Sequence, residues 1–276
     1  MPDNTPISVM TIGGVDPSGG AGIAADLKTF MAFDTFGTCA VAALTAQNTT
    51  EVRSIVPTER RFLQSQIECV LDDISVVAAK TGMLFSSENI ACVADIFEQR
   101  ENSGTEIKLI VDPVTASSTK KILVDENAKM AYLNLLFKVA YLITPNIAEA
   151  EFFTGIEVND IDSMKVSSKA LHEMTGSKIL VTGGHLTGNS MSDVYFDGTE
   201  FEIFKSERIP TLNNHGTGCT LSAAITALAG SGQDIVSAIR TSKEYVSRAL
   251  VRSSSWEIGK GHGPLNHSGA IIINGK

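Results

Sequence analysis

The stretch ISVMTIGGVDPSGGAG, residues 7–22, decides the fold. Residues 7–12 form a mostly apolar, β-branched run. A short run that is apolar on both faces suits a buried strand in a parallel sheet covered on both sides. Residues 13–22 form a loop in which five of ten residues are glycine. Glycine permits positive φ and lets backbone close on a ligand. In an open α/β sheet, ligands bind beyond the carboxyl ends of the strands, where this loop lies. A plain flexible turn is the other reading.

The same grammar repeats along the chain. Residues 39–45, 76–81, 107–111, 141–144 and 178–182 read as further short strands. Between and after them, residues 22–32, 59–72, 87–100, 125–138, 147–153 and 163–175 carry helical patterns. This alternation predicts right-handed βαβ crossovers and a three-layer, doubly wound, mostly parallel α/β sheet. Residues 193–204 alternate around Asp197-Gly198 and predict an antiparallel edge hairpin. A small-residue helix (217–230) and a second helix (234–253) follow. No Pro/Gly/Ser-rich linker divides the chain, so a single domain over residues 1–276 is expected.

Two named phosphate loops fail against residues 13–22. Gly14 and Gly19 have the spacing of a P-loop, but Gly20-Ala21 stands where Lys-Ser/Thr is required. Gly20-x-Gly22-x-x-Ala25 matches a relaxed dinucleotide fingerprint, but it starts too far beyond the strand. Asp26 falls in the first turns of the helix. It could accept hydrogen bonds from a ligand, or be a solvated residue favoured by the helix dipole.

Asn214-His215-Gly216-Thr217-Gly218-Cys219 opens the small-residue helix. Free N–H groups at a helix start make an anion site, and such a site can stabilise a transferring phosphoryl group. Cys219 lies on the first turn, where a thiol pKa is lowered, so it could serve as base or nucleophile. A buried inert cysteine is the alternative. Asn146 and Glu149 lie on one helix face and could hold Mg²⁺ through water; a plain capping box is the alternative. Asp112 ends another strand at the same edge. Four loops thus converge, at 13–22, 112–119, 144–149 and 216–219. Together they describe a site for an anionic, Mg-bound substrate, and phosphoryl transfer fits it.

Composition narrows the rest. The chain has 276 residues, with 22 basic and 31 acidic side chains and a net charge of −9. That balance argues against nucleic acid as a partner. No segment approaches the length of a membrane span. Residues 1–5 lack the basic start of a signal peptide, and the four cysteines show no paired spacing, so a reduced cytoplasmic protein is expected. There is no G-x-S-x-G or H-E-x-x-H, and His172, His185, His215, His262 and His267 show no metal spacing.

Residues 14–30 (GVDPSGGAGIAADLKTF), 43–49 (ALTAQNT), 80–84 (KTGML), 112–114 (DPV), 144–149 (TPNIAE), 183–185 (GGH), 215–224 (HGTGCTLSAA) and 259–266 (GKGHGPLN) resemble, in order, the hydroxymethylpyrimidine/phosphomethylpyrimidine kinases of the ribokinase-like superfamily. The resemblance implies ATP- and Mg²⁺-dependent phosphorylation of a hydroxymethylpyrimidine, and then of its monophosphate, in thiamine biosynthesis. It places Gly14, Asp26, Gln47, Met83 and Val114 around the pyrimidine. Gln47 can both donate and accept, which suits a ring nitrogen beside an amino group. The resemblance assigns Asp112, Asn146, Glu149, Thr182 and Lys260 to ATP and metal, with Asp112 and Glu149 holding Mg²⁺ partly through water. Gly216, Thr217 and Gly218 would form the anion hole and Cys219 would be the base. A homodimer is implied as well. Thr182 stands where many relatives have Lys, Gln47 where some have Glu, and Ala24 replaces a common Gln; the 117–121 loop (SSTKK) is also unusual. A pyridoxine/pyridoxal kinase is the near alternative. A non-catalytic metabolite sensor and a dinucleotide-dependent oxidoreductase are the readings from other classes.

Overall fold

The computed structural model describes residues 5–115, 126–184 and 190–268. The loop at 117–121, for which movement over the nucleotide is expected, and His185 lie outside the described residues. The elements run β1 (Ser8–Val15), α1 (Gly22–Ala32), β2 (Phe36–Gln47), β3 (Val52–Pro57), α2 (Arg60–Asp73), β4 (Val76–Thr81), α3 (Ser87–Asn102) and β5 (Lys108–Val111). They continue with α4 (Glu126–Asn134), β6 (Leu142–Ile143), α5 (Ile147–Thr154), α6 (Ile161–Thr175), β7 (Lys178–Val181), β8 (Ser190–Phe196), β9 (Phe201–Glu207), α7 (Thr217–Gly230) and α8 (Ile235–Ser253).

All nine strands join one sheet in the order β3-β2-β1-β4-β5-β6-β7-β8-β9. From β2 to β7 every neighbouring pair is parallel. The period of two along each strand divides the core. In β5, Leu109 and Val111 face one layer and Ile110 the other. Ile179 and Val181 against Leu180 repeat this in β7, and Met10 and Ile12 against Val9 in β1. One layer holds α2 to α6 and the other holds α1, α7 and α8. This is the expected three-layer architecture, and it explains why the strands read as continuous apolar runs.

The expected hairpin forms: β8 and β9 pair antiparallel, and Thr199 and Glu200 donate to the Asp197 carboxylate in the turn. β7 and β8 are antiparallel too. The opposite edge differs from the sequence expectation. β2 begins and ends beyond residues 39–45, and an unexpected β3 returns antiparallel to it. Asn48 builds the connecting turn, its side chain accepting from the N–H groups of Thr50 and Glu51. The expected helix at 125–138 breaks after Asn134, and residues 136–139 form a 3₁₀ turn. Among the described residues no helix is long and apolar enough to cross a membrane.

Candidate active site

The carboxyl ends of β1, β4, β5, β6 and β7 deliver the predicted site residues to one edge of the sheet, where the start of α7 meets them. The 13–22 loop is organised by Asp16. Its Oδ1 accepts from the Ser18 N–H at 2.8 Å and the Ser18 hydroxyl at 2.7 Å, and its Oδ2 from the Ala21 N–H at 3.0 Å. The fourth contact is long-range: His215 Nε2 lies 2.7 Å from Oδ2, and both side chains are buried. Burial alone would raise the Asp16 pKa, but the His215 and Ser18 hydrogen bonds hold it below the usual range.

Gly216 locks the two glycine-rich loops together. Its φ is +86°, and a Cβ there would lie 1.9 Å from the Gly20 carbonyl oxygen. Only glycine meets both conditions. The first α-helical bond of α7 runs from the Thr220 N–H to the Gly216 carbonyl at 2.8 Å. The N–H groups of Gly218 and Cys219 therefore have no helical acceptor at this entrance to α7.

Beneath this entrance lies a charge network centred on Lys80 of β4. Its side chain is fully buried, and Nζ sits 2.9 and 3.0 Å from the two oxygens of Asp26. Thr11 donates to Asp26 Oδ2 at 2.6 Å. The ammonium also lies 3.9 Å from Asp112 Oδ2, which accepts from the Ser222 hydroxyl at 3.0 Å. Burial works against the Lys80 charge, but Asp26 and Asp112 outweigh it and raise its pKa. Asp26 receives hydrogens on both oxygens; burial raises its pKa, and the Lys80 charge and the Thr11 hydrogen bond work against that rise. It is not a solvated helix-start residue: it is 1% exposed and filled by Lys80 and Thr11. Lys80 carries no role in the sequence reading. The available signal was a lysine inside an otherwise apolar strand, since lysine is almost never buried unless paired.

Cys219 lies beside this network, and its thiol differs from expectation. Burial pushes it up to about 12; Lys80 lowers it, but Asp112 and Asp26 act against that relief. Desolvation and the neighbouring carboxylates thus oppose the lowering expected of a thiol at a helix start.

Asn146 and Glu149 form the capping box at α5. Asn146 Oδ1 accepts from the Glu149 N–H at 3.0 Å, and Glu149 Oε2 from the Asn146 N–H at 2.9 Å. Oε1 accepts from the Thr115 N–H at 3.2 Å. Burial and the Asp112 charge push Glu149 up to about 8. Burial likewise raises Asp112, against the pull of Lys80. Buried Asp112 and Glu149, with the Asp112 charge opposing the ionisation of Glu149, fit Mg²⁺, which takes one or two carboxylates and leaves room for water and phosphate oxygens. No group of three His, Cys, Asp or Glu side chains converges as a metal cage among the described residues.

The remaining predicted residues divide. Thr182 bridges to Asn146, and its N–H donates to the Pro145 carbonyl. Met83 packs over Gly14: a Cβ on Gly14 would meet the Met83 methyl at 2.5 Å. Val114 closes a turn on the Asp112 carbonyl at 2.9 Å. Gln47 Nε2 lies 3.4 Å from His215 Nε2. The Lys260 backbone N–H donates to Thr49 Oγ1, and its side chain is exposed.

With this geometry the known proteins can be compared. The sequence profile of the phosphomethylpyrimidine kinase family matches residues 16–266. A hydroxymethylpyrimidine/phosphomethylpyrimidine kinase of Haemophilus influenzae is 41% identical over 265 residues, covering 94% of this chain and 96% of that one. The thiamine biosynthesis bifunctional protein ThiED of Geobacter sulfurreducens is 40% identical over 261 residues; the match covers 94% of this chain and 52% of that longer protein. Among solved structures, the pyridoxal kinase of Staphylococcus aureus in complex with AMP-PCP and pyridoxal superposes with a TM-score of 0.87. It is 29% identical, and the match covers 98% of this chain and 96% of that one.

Proposed function

The chain belongs to the phosphomethylpyrimidine kinase family, and from that membership we propose that it phosphorylates a hydroxymethylpyrimidine with ATP, and then phosphorylates the monophosphate to the diphosphate, in thiamine biosynthesis. The observation that carries this reading is the joining of two loops. The left-handed Gly216 sets the open N-terminus of α7 against the glycine-rich loop, directly above the Lys80 network.

In this reading the Gly14 backbone, Gln47, Met83 and Val114 line the pyrimidine pocket, and Asp26 supports it from beneath through Lys80. The N–H groups of Gly218 and Cys219, with Gly216 and Thr217 shaping the turn, hold the negative charge on the transferring phosphoryl group. Asp112 and Glu149 would hold Mg²⁺, in part through water, with Asn146, Thr182 and Lys260 toward the nucleotide. When bound, the metal ion neutralises phosphate charge. The substrate hydroxyl oxygen forms the new bond to the γ-phosphorus while the bond to the β-phosphate oxygen breaks and ADP departs. The hydroxyl proton passes to the Cys219 sulfur in its thiolate form, the thiol having first released its own proton to solvent. Because phosphoryl transfer runs through a loose transition state, the attacking hydroxyl needs little deprotonation beforehand, so a small thiolate fraction serves. A single cytoplasmic domain working as a homodimer completes the proposal; gel filtration with light scattering tests the dimer.

The pyridoxal kinase superposition favours a second reading, phosphorylation of pyridoxal in the same site. An ADP-release assay on hydroxymethylpyrimidine, its monophosphate and pyridoxal separates the two. The proposal expects turnover of both pyrimidines. Turnover of pyridoxal alone overturns it.

A further inference from the structure

His215 touches Asp16 and Gln47 with the same ring nitrogen. We propose that His215 is a positioning residue: it fixes which end of the Gln47 amide faces which neighbour, and thereby sets the ring chemistry the pocket accepts. The inference rests on the pyrimidine-kinase reading above.

Asp16 accepts three hydrogen bonds from the Ser18 N–H, the Ser18 hydroxyl and the Ala21 N–H, spread over both of its oxygens. It has no proton to give, so the hydrogen in its 2.7 Å contact with His215 Nε2 sits on the histidine. That holds whether the imidazole is neutral or charged. The Gln47 amide lies 3.4 Å from this same Nε2, with its nitrogen end toward it. An NH₂ group there points at an N–H. At the other end, Gln47 Oε1 lies 3.5 Å from Thr45 Oγ1. The one hydroxyl hydrogen of Thr45 goes to the Val15 carbonyl at 2.9 Å. Thr45 therefore offers Gln47 only lone pairs.

Both neighbours require the same orientation. The amide oxygen belongs toward His215 and the amide nitrogen toward Thr45. The two ends of an amide have nearly the same size, so the half-turn needs no new space, and hydrogen bonding decides it. One N–H then goes to Thr45, and one oxygen lone pair faces the His215 Nε2 hydrogen, which is given mainly to Asp16 and shared with the amide oxygen at the longer distance. The second N–H and the second lone pair point forward, side by side. An aminopyrimidine edge answers that pair with a ring nitrogen to accept and an amino group to donate. A pyridine ring with a phenolic oxygen has no such edge. An amide group that a bound ring closes off from water and leaves unpaired costs more than the net worth of the bond, so the fixed orientation discriminates.

His215 is well held for this task. Its backbone N–H donates to the Gly263 carbonyl at 3.0 Å. Gly20 leaves room for the ring: a Cβ there would lie 2.6 Å from His215 Cδ2. Because Gly216 follows directly, the residue that orients the pocket is joined covalently to the anion hole.

The test is a double-mutant cycle with His215→Phe and Gln47→Ala, reading kcat and KM for hydroxymethylpyrimidine and for pyridoxal. We expect His215→Phe to raise the pyrimidine KM about tenfold, with the larger share of the effect in KM and little change toward pyridoxal. In the Gln47→Ala background the same substitution should add almost nothing. An equal effect in both backgrounds, or a loss in kcat at constant KM, overturns the proposal. If His215→Phe does not fold, ¹⁵N NMR of the native protein decides: a hydrogen on Nε2 is expected, and a hydrogen on Nδ1 alone overturns it. Native protein that phosphorylates no pyrimidine defeats the kinase reading instead, and the NMR result still judges the His215 arrangement by itself.

Discussion

Lys80 and Cys219 show how far single residues were legible. The carboxylates and glycines of the site stand in motifs that read locally. Lys80 does not, because its meaning depends on Asp26, 54 positions away, and on Asp112. His215 and Asp16 are 199 positions apart, and nothing in either motif names the other. Removing one partner of a buried ion pair leaves an uncompensated charge. Lys80→Met should therefore destabilise the fold by about 3–5 kcal/mol, read by urea unfolding. The double variant Lys80→Met/Asp26→Leu should recover a large part of that loss. If the double variant is as unstable as the sum of its parts, the pair is not coupled. The raised pKa of the Cys219 thiol is not legible in the sequence, because the helix start is visible there and desolvation is not. With its pKa pushed up to about 12, the thiolate fraction rises through the whole neutral range. The ratio of kcat/KM in native protein to that in Cys219→Ala should thus climb about tenfold per pH unit across pH ~6 to 9. A flat ratio would remove Cys219 as the base.

Elements were legible where one residue type is compulsory. Gly216 in the motif announced the start of α7, and its φ of +86° supplies the reason. Gly216→Ala requires the Gly20 backbone to move, since the new Cβ would stand 1.9 Å from its carbonyl oxygen. The strained turn costs on the order of 1–3 kcal/mol, and the anion hole opens with it. A loss of kcat of at least about tenfold is expected, measured beside thermal unfolding; a stable variant with native kcat would separate the turn from the chemistry. β3 was illegible for the opposite reason. Val52–Pro57 has an edge-strand composition, with an arginine, a serine and a terminal proline, and four of its six residues are exposed. Its only local signal is the Asn48-Thr49-Thr50-Glu51 turn, which pairs it with β2. Edge strands need no second apolar face, so hydrophobic runs do not reveal them.

At the scale of the molecule, the parallel sheet and its two covered faces followed from the alternation of short apolar runs with helices. The broken helix after Asn134 and the second antiparallel edge did not, because tertiary packing sets both. The net charge of −9 is carried by a protein whose site places Asp26 and Asp112 around one ammonium, with the Asp112 charge acting on Glu149. That arrangement has a pH consequence. Glu149 is pushed up to about 8 in the fold, above its usual value, so folding favours its protonated form. Its ionisation costs nothing in acid and costs progressively more as the pH rises toward 8. A divalent cation held by Asp112 and Glu149 reverses that cost. The rise in Tm on adding Mg²⁺ should accordingly be larger at about pH 8.5 than at about pH 6; an equal rise at both would place the ion elsewhere. The central claim is the reaction, and mass spectrometry of products tests it most directly. Purified protein is incubated with Mg–ATP and hydroxymethylpyrimidine, with pyridoxal in a parallel reaction. The account predicts the pyrimidine monophosphate first and the diphosphate after it; an unchanged pyrimidine beside phosphorylated pyridoxal would contradict it.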